Sequence, residues 1–246
     1  MANNQITPFQ LTDQFTMDNF NQRINETNTA LQNKAPAGYG LGSISKFISS
    51  SDDLNDVVYD GWYYFDAPPI NAPLLDGVNA VGYSSMLVSN RDPSLYVTQE
   101  IFCYASWEAF NCVLRRCRIN GEWKPWEWVN PPMMLNTEYR TTERYLGKPV
   151  YVKLLDCGLL VKGTLTYPHG ISDIDVCVRY SGVASTSTGV FSGKGALPSF
   201  TTPSALNSEW NIFVQNFGTT NIDIYNGGGL TGCPVYVTVW YTKTTD

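Results

Sequence analysis

The dipeptide Asn120-Gly121 constrains the fold of this chain more than any other short segment. It stands between two runs of strand-forming residues, 115–119 and 123–129. Asn and Gly tolerate the positive φ angles of a type I′ turn, whose twist matches that of two paired strands. The sequence therefore predicts an antiparallel hairpin at this point.

The composition extends this prediction to most of the chain. Fifteen Tyr, eleven Phe and seven Trp accompany twenty Gly, while charged residues make up only 15% of the 246 residues. Soluble domains typically contain roughly 25% charged residues, many of them on helix surfaces. Strand formers and turn formers in this proportion predict a mainly β fold.

Residues 1–35 differ from the rest, because they contain no Gly and repeat apolar residues at steps of three and four. We predict a short N-terminal helix that serves for attachment or trimerisation. Two arrangements remain open, a coiled coil between copies and a helix folded back on its own domain. The repeat consists of Met17, Phe20, Ile24, Thr27 and Leu31.

The remainder divides at Pro131-Pro132 into two predicted β domains. Residues 39–130 are expected to form a small domain with strands at 81–89, 94–106 and 113–120 and a short helix at 52–58. Residues 133–246 are expected to form an antiparallel β-sandwich. Its last strand, 234–242, has large residues on both faces, which indicates burial on both sides.

Charge and hydropathy exclude several classes of partner. Sixteen basic residues face twenty-two acidic ones, and the one basic cluster, Arg115, Arg116 and Arg118, is too short for a phosphate-binding stripe. We therefore expect no nucleic-acid partner. Apolar runs are too short for membrane insertion, and the N-terminus has no signal-peptide pattern. The chain is expected to be made in the cytoplasm.

The six cysteines are expected to be buried free thiols, because no export signal precedes them. No two of them form the CxxC spacing typical of zinc sites. They are Cys103, Cys112, Cys117, Cys157, Cys177 and Cys233.

Catalytic chemistry finds little support in the sequence. His169 is the single histidine, and its position in a turn favours a structural role. Gly227–Gly229 lacks the Lys and Ser/Thr of a phosphate-binding loop. We expect no catalytic residue, no cofactor and no metal. The carboxylates considered for glycoside hydrolysis, and expected to be solvated, are Glu138, Glu143, Asp173 and Asp175.

Three ordered blocks within 39–130 resemble the knob domain of R-type pyocin tail fibres. They are Asp60-Gly61-Trp62-Tyr63, Thr98-Gln99-Glu100 and the hairpin 118–126. In that family the closing hairpin carries an Arg, a Gly and two Trp. In this sequence those positions hold Arg118, Gly121, Trp123 and Trp126.

The second half resembles a C-terminal module of phage minor structural and tail-fibre proteins, through residues 136–153, 169–175 and 241–246. Together the resemblances imply a homotrimeric virion fibre that contacts other virion proteins through its N-terminal segment and binds host-surface carbohydrate. A polysaccharide-degrading tailspike and a purely structural head fibre or decoration protein are the alternatives. The resemblance identifies neither the glycan nor the position of the fibre on the particle.

Carbohydrate is held by aromatic faces and by polar hydrogen-bonding groups. Two long loops, 185–208 and 225–232, are predicted to form the binding tip, because binding residues collect on loops carried by rigid strands. The hairpin at Trp123 and Trp126 is the next candidate surface, although both Trp are expected first as core residues. The predicted ligand-binding residues are Trp210, Tyr225, Asn226 and Trp128.

Overall fold

The computed structural model of the chain describes residues 17–34, 45–75, 78–79, 81–104, 111–184, 195–197 and 212–246. These residues form one helix and seventeen strands, so the predicted mainly β fold is confirmed. The elements are α1 (Met17–Lys34), β1 (Lys46–Phe47), β2 (Gly61–Phe65), β3 (Leu74–Leu75), β4 (Val78–Asn79), β5 (Ser84–Asp92), β6 (Tyr96–Cys103), β7 (Val113–Ile119), β8 (Glu122–Trp123), β9 (Glu127–Trp128), β10 (Glu138–Tyr145), β11 (Lys148–Leu159), β12 (Gly163–Pro168), β13 (Ile174–Ala184), β14 (Gly195–Leu197), β15 (Ile212–Phe217), β16 (Asn221–Asn226) and β17 (Pro234–Lys243).

Twelve of the strands form one continuous sheet in the order β1-β2-β5-β6-β7-β9-β10-β11-β17-β13-β14, with β8 beside β7. The sheet continues across the predicted linker at 131–132, because Trp128 of β9 pairs with Thr141 of β10. That contact and the pairing of β1 with β2 are parallel, and the other pairings of this sheet are antiparallel. The division into domains 39–130 and 133–246 stays a prediction.

The first hydrophobic core lies on one face of β2, β5, β6 and β7. Alternation along these strands sends every second side chain to the same side, where segment 48–58 covers them. Each such side chain contributes roughly 1.5–3 kcal/mol through its removal from water. The buried residues include Ile48, Leu54, Tyr63, Phe65, Met86, Val88, Ile101 and Leu114.

The second core lies between the large sheet and a separate antiparallel sheet of order β12-β16-β15. β17 is central to it, because this strand pairs with both β11 and β13 and buries one face completely. On its other face Trp240 is part-buried and packs against the first core. The predicted burial of β17 is therefore complete on one face and partial on the other. The buried residues of β17 are Val235, Val237, Val239 and Tyr241.

The helix predicted at 52–58 is wrong, and this segment consists of turns. Asp52 accepts a hydrogen bond from the backbone nitrogen of Ser49 at 2.7 Å, and Asp53 accepts one from that of Asn55 at 2.8 Å. Short polar side chains that bond nearby backbone groups in this way compete with helix formation.

Helix α1 falls within the predicted segment 1–35. Phe20 and Ile24 are 46% and 42% exposed, and neither hydrophobic core of the described residues includes a residue of α1. The coiled coil stays a prediction. No helix in the described ranges is long and apolar enough to span a membrane.

All six cysteines are free thiols. Three of them, Cys103, Cys112 and Cys157, are buried as expected, whereas the other three are only part-buried. Burial raises the pKa of the Cys103 and Cys157 thiols to about 12, so both stay protonated at neutral pH.

Candidate functional site

An open groove of about 430 Å³ lies between the 53–74 segment and the hairpin that follows β7. We call it the hairpin groove. Two aromatic and several polar side chains form its surface, a composition typical of ligand-binding sites. The residues that define it are Asn55, Asn71, Leu74, Arg116, Trp123 and Trp126.

The predicted turn at Asn120-Gly121 builds one wall of the groove. Asn120 and Gly121 have φ angles of 53° and 83°, and β7 pairs with β8 in the register Arg118 with Trp123. Pro125 then interrupts the pairing before β9, since proline has no backbone N–H to donate. This interruption frees Trp126 from the strand and allows it to face the same guanidinium as Trp123.

Both indoles are anchored to the opposite wall. Trp123 Nε1 donates to the carbonyl of Asn55 at 3.2 Å, and Trp126 Nε1 donates to the carbonyl of Asn71 at 3.0 Å. Indole has a single donor, so the polar requirement of each ring is met. Both rings are part-buried and pack against the first core. Asp53 stabilises this wall by accepting two contacts from Asn71 Nδ2, at 2.7 and 2.9 Å.

Arg116 lies between the two indoles. Its guanidinium carbon is 4.2 Å from the ring centre of Trp123 and 4.5 Å from that of Trp126, both within cation–π range. Arg116 Nε donates to Gln99 Oε1 at 2.8 Å, and Gln99 Nε2 donates to the carbonyls of Leu54 and Val57. The side chain is thus fixed in position and only 6% exposed.

Arg116 keeps its positive charge although its side chain is buried. Burial lowers the pKa of Arg116 to about 10, an effect that the charge of Asp53 opposes, so the guanidinium stays charged at neutral pH. Within the described part of the chain, Arg116 Nη2 and Asn55 Oδ1 are both buried without a hydrogen-bond partner. One donor and one acceptor therefore lie unused in a groove with two aromatic walls.

Trp128 is not exposed as its predicted role requires. It is 5% exposed and packs edge-on against Tyr139, with 5.5 Å between ring centres. The physical reason is that β9 lies between β7 and β10 inside the large sheet. A ring covered in this way belongs to the first core and offers no face to a sugar.

Asn226 is also buried, at 0% exposure. Its Nδ2 donates to the carbonyl of Val161 at 3.0 Å, and its Oδ1 accepts from the nitrogen of Gly228 at 3.2 Å. These bonds hold the 226–232 turn together and explain the burial. Its predicted part as a polar ligand contact requires an exposure that the structure does not give it.

Tyr225 lies on the outer face of the three-stranded sheet, part-exposed and 5.1 Å from the ring of Phe213. Trp210 lies outside the described residues, as does the 185–208 loop apart from 195–197. The structure therefore does not bring the four predicted ligand-binding residues together into one described site.

His169 has the structural contacts expected of it. Its Nδ1 accepts from the nitrogen of Ile171 at 3.1 Å, its Nε2 contacts the carbonyl of Gly218 at 3.1 Å, and its ring stacks on Phe217. Burial lowers the pKa of His169.

Three of the carboxylates considered for hydrolysis are held in ion pairs, Glu138 with Lys243, Glu143 with Arg179 and Asp175 with Lys148. Among the described residues no three His, Cys, Asp or Glu side chains form a potential metal site.

Arg116, Asn55 and Gln99 were not predicted as site residues. The sequence does indicate that Arg116 faces inward, because it lies two residues after Leu114 on β7 and therefore on the same face of the strand, towards the core. The contribution of Asn55 and Gln99 depends on contacts across 42 to 68 residues of sequence, which no local pattern encodes.

No protein-family model matches the chain, and no curated protein matches it. Solved structures similar to it include an N-truncated R2-type pyocin tail fiber, at 10% identity and a TM-score of 0.29, covering 83% of this chain and 99% of that one. An R1 pyocin fiber of P. aeruginosa matches at 12% identity and 0.29, covering 82% and 68%. An R2 pyocin fiber of P. aeruginosa matches at 10% and 0.30, covering 85% and 69%. TM-scores near 0.3 are too low to establish a common fold, so these matches assign neither fold nor function to the chain.

Proposed function

We propose that this chain is a non-enzymatic virion fibre protein that attaches its particle to host-surface carbohydrate, and that the hairpin groove contacts the sugar. The observation that carries the proposal is the pair of anchored indoles around a buried guanidinium with an unused donor. The sequence resemblance of residues 39–130 to a pyocin knob supports its assignment to a fibre.

The chemistry of the groove suits a saccharide. Sugar rings present C–H faces that stack on aromatic rings and hydroxyls that need donors and acceptors. The faces of Trp123 and Trp126 that do not contact Arg116 would stack on the sugar, and Asn55 Oδ1, once exposed by a side-chain movement, would supply an acceptor. Because the groove is open to solvent, a bound polymer segment could continue beyond it.

A homotrimer is part of the same proposal. The sheet face opposite the first core exposes aromatic rings, including Phe47 at 50%, Trp62 at 38% and Tyr64 at 38%. A patch of this kind on an otherwise folded sheet fits an interface between copies. Helix α1, with Phe20 and Ile24 exposed, would associate in the trimer or contact other virion proteins.

Trimerisation would strengthen attachment without any new contact. The three grooves of one trimer would bind the same repeating polymer simultaneously. Such multivalency commonly raises apparent affinity by a factor of about 10² to 10⁴. Weak binding at a single groove is therefore compatible with firm attachment.

Replacement of Trp126 by Ala tests the groove directly. We expect the purified variant to bind glycans from a surface-glycan array about tenfold more weakly, which corresponds to roughly 1.4 kcal/mol for one lost stacking contact. Circular dichroism and the mass in solution should match the wild type.

Tyr225→Ala is the matched comparison, since Tyr225 is a part-exposed aromatic residue on the other sheet. If only Tyr225→Ala weakens binding, the contact surface is the predicted tip around 225–232 and the groove assignment fails. Undiminished binding in both variants contradicts both sites.

A further inference from the structure

Building on the proposed carbohydrate-binding function, we propose that the hairpin groove selects sugars that carry an oxyanion, a carboxylate or a phosphate, which pairs with Arg116.

Arg116 differs from four other arginines of the sheet. Arg115, Arg140, Arg144 and Arg179 each form a salt bridge with a glutamate. Arg116 is more buried than any of these four, yet within the described residues it makes no salt bridge. An unpaired buried charge is strongly unfavourable, and its retention here points to an anion supplied from outside the chain.

Asp53, the acid whose charge favours the charged form of Arg116, is already bonded to other groups. Both carboxylate oxygens of Asp53 accept from Asn71 Nδ2, and Oδ1 also accepts from the backbone nitrogen of Asn55. These bonds hold the groove wall, so Asp53 stabilises the charge of Arg116 only from a distance. The remaining direct partner of the guanidinium, Gln99, is neutral.

The groove atoms without a hydrogen-bond partner determine which groups a ligand must offer. Arg116 Nη2 needs an acceptor, and a charged one forms the stronger hydrogen bond. Nη2 is covered, so the oxyanion reaches it after a small movement of a groove side chain. Asn55 lines the same groove, and within the described ranges its Oδ1 has no hydrogen-bond partner, so a movement that exposes Oδ1 would let it accept from a sugar hydroxyl.

Polymers that differ only in charge show whether the groove recognises the charge or the sugar ring. The full chain is titrated with galacturonate oligomers and with their methyl esters, which keep the same rings without the charge, and tryptophan fluorescence is followed. Polyglycerol phosphate and dextran serve as the phosphate and neutral probes. We expect at least one of the two anionic polymers to bind at least tenfold more tightly than the ester and dextran. Which anionic polymer binds identifies the oxyanion.

Two variants assign the effect to the groove. Arg116→Gln keeps a donor for Gln99 and removes the charge, and it should reduce binding of the acid to the level of the ester. Arg115→Gln removes the same charge from the neighbouring residue, whose side chain pairs with Glu100 on the opposite face of the sheet, and should bind as the wild type does. Equal loss in both variants would overturn the assignment.

The remaining outcomes are also decisive. Equal binding of anionic and neutral polymers, lost in Trp126→Ala, overturns the selectivity but leaves the proposed function standing. Binding to none of the four polymers contradicts the selectivity, while the glycan array still decides the proposed function. If Arg116→Gln does not fold, the indole N–H signals of wild-type Trp123 and Trp126 in ¹H–¹⁵N spectra decide, since at least one of the anionic polymers should shift them at concentrations at least tenfold lower than the ester and dextran require.

Discussion

His169 illustrates how one buried side chain links stability to pH. The backbone nitrogen of Ile171 donates to Nδ1, so Nδ1 carries no proton and Nε2 donates to the carbonyl of Gly218. Protonation of the ring would break the bond to Ile171 and place a charge beside Phe217. The folded state therefore favours the neutral imidazole.

A pH-dependent loss of stability follows from this preference. Because the folded-state pKa of His169 lies below its ordinary value of 6.5, the unfolded chain binds more protons in the interval between the two. The contribution is complete above about pH 6.5 and decreases as the pH falls towards the folded-state pKa. His169→Asn keeps an acceptor for Ile171 and does not titrate.

Urea unfolding at pH 7.5 and pH 5.5 measures the effect. We expect the free energy of unfolding to fall more for the wild type than for His169→Asn over this interval. Equal decreases in the two proteins would show that His169 is not held neutral.

Asn226 and Tyr225 are neighbours with opposite roles, one buried and one part-exposed. Asn226→Ala should lower the free energy of unfolding by about 1–3 kcal/mol, because the carbonyl of Val161 and the nitrogen of Gly228 lose their partner. Tyr225→Ala should cost less. A stable Asn226→Ala variant with weakened glycan binding would contradict the structural role and restore Asn226 as a ligand contact.

At the scale of elements, the hairpin β7–β8 depends on its glycine. Gly121 has a φ of +83°, where an L-residue costs roughly 1–2 kcal/mol, and an added Cβ would lie 3.4 Å from the carbonyl oxygen of Ser94. Gly121→Ala should therefore lower the free energy of unfolding by about 1–2 kcal/mol in urea titrations.

Gly218→Ala is the control, since this turn glycine has no positive φ and an added Cβ meets its neighbours at 3.5 Å or more. Equal losses in the two variants would show that the backbone conformation of Gly121 carries no special cost.

Local chemistry explains which elements were predictable. The hairpin at Asn120-Gly121 and the alternation of β17 follow from residues adjacent in sequence, and both are present in the structure. The 52–58 segment deviates because Asp52 and Asp53 bond to the backbone in turns. The burial of Trp128 follows from the sheet order, which places β10 beside β9. Only the fold of the whole chain encodes that order.

The groove also combines features that follow from neighbouring residues with features that depend on long-range contacts. Arg115, Arg116 and Arg118 look alike in a basic cluster, and strand parity separates Arg116 as the one that shares a face with Leu114. That its guanidinium meets two indoles depends on Pro125, which removes Trp126 from the ladder, and on the long-range wall at Asn55 and Asn71. The aromatic residues were visible in the sequence, but their arrangement was not.

At the scale of the whole molecule, the account predicts a homotrimer. The exposed rings of Phe47, Trp62 and Tyr64 and the apolar positions of α1 would be covered by neighbouring copies. The mass in solution should be about three times the chain mass of 27.4 kDa. A monomer at micromolar concentration contradicts this part of the proposal and leaves the proposed role of the groove to be tested separately.

Size-exclusion chromatography tests whether the chain binds polysaccharide without cleaving it. The purified chain is incubated with each polysaccharide that it binds on a glycan array, and the polymer length is followed by size-exclusion chromatography. We predict binding with the polymer length unchanged, because the described residues that line the groove include no carboxylic acid to protonate a glycosidic bond. Shortening of a bound polymer, or failure to bind any glycan on the array, would contradict it.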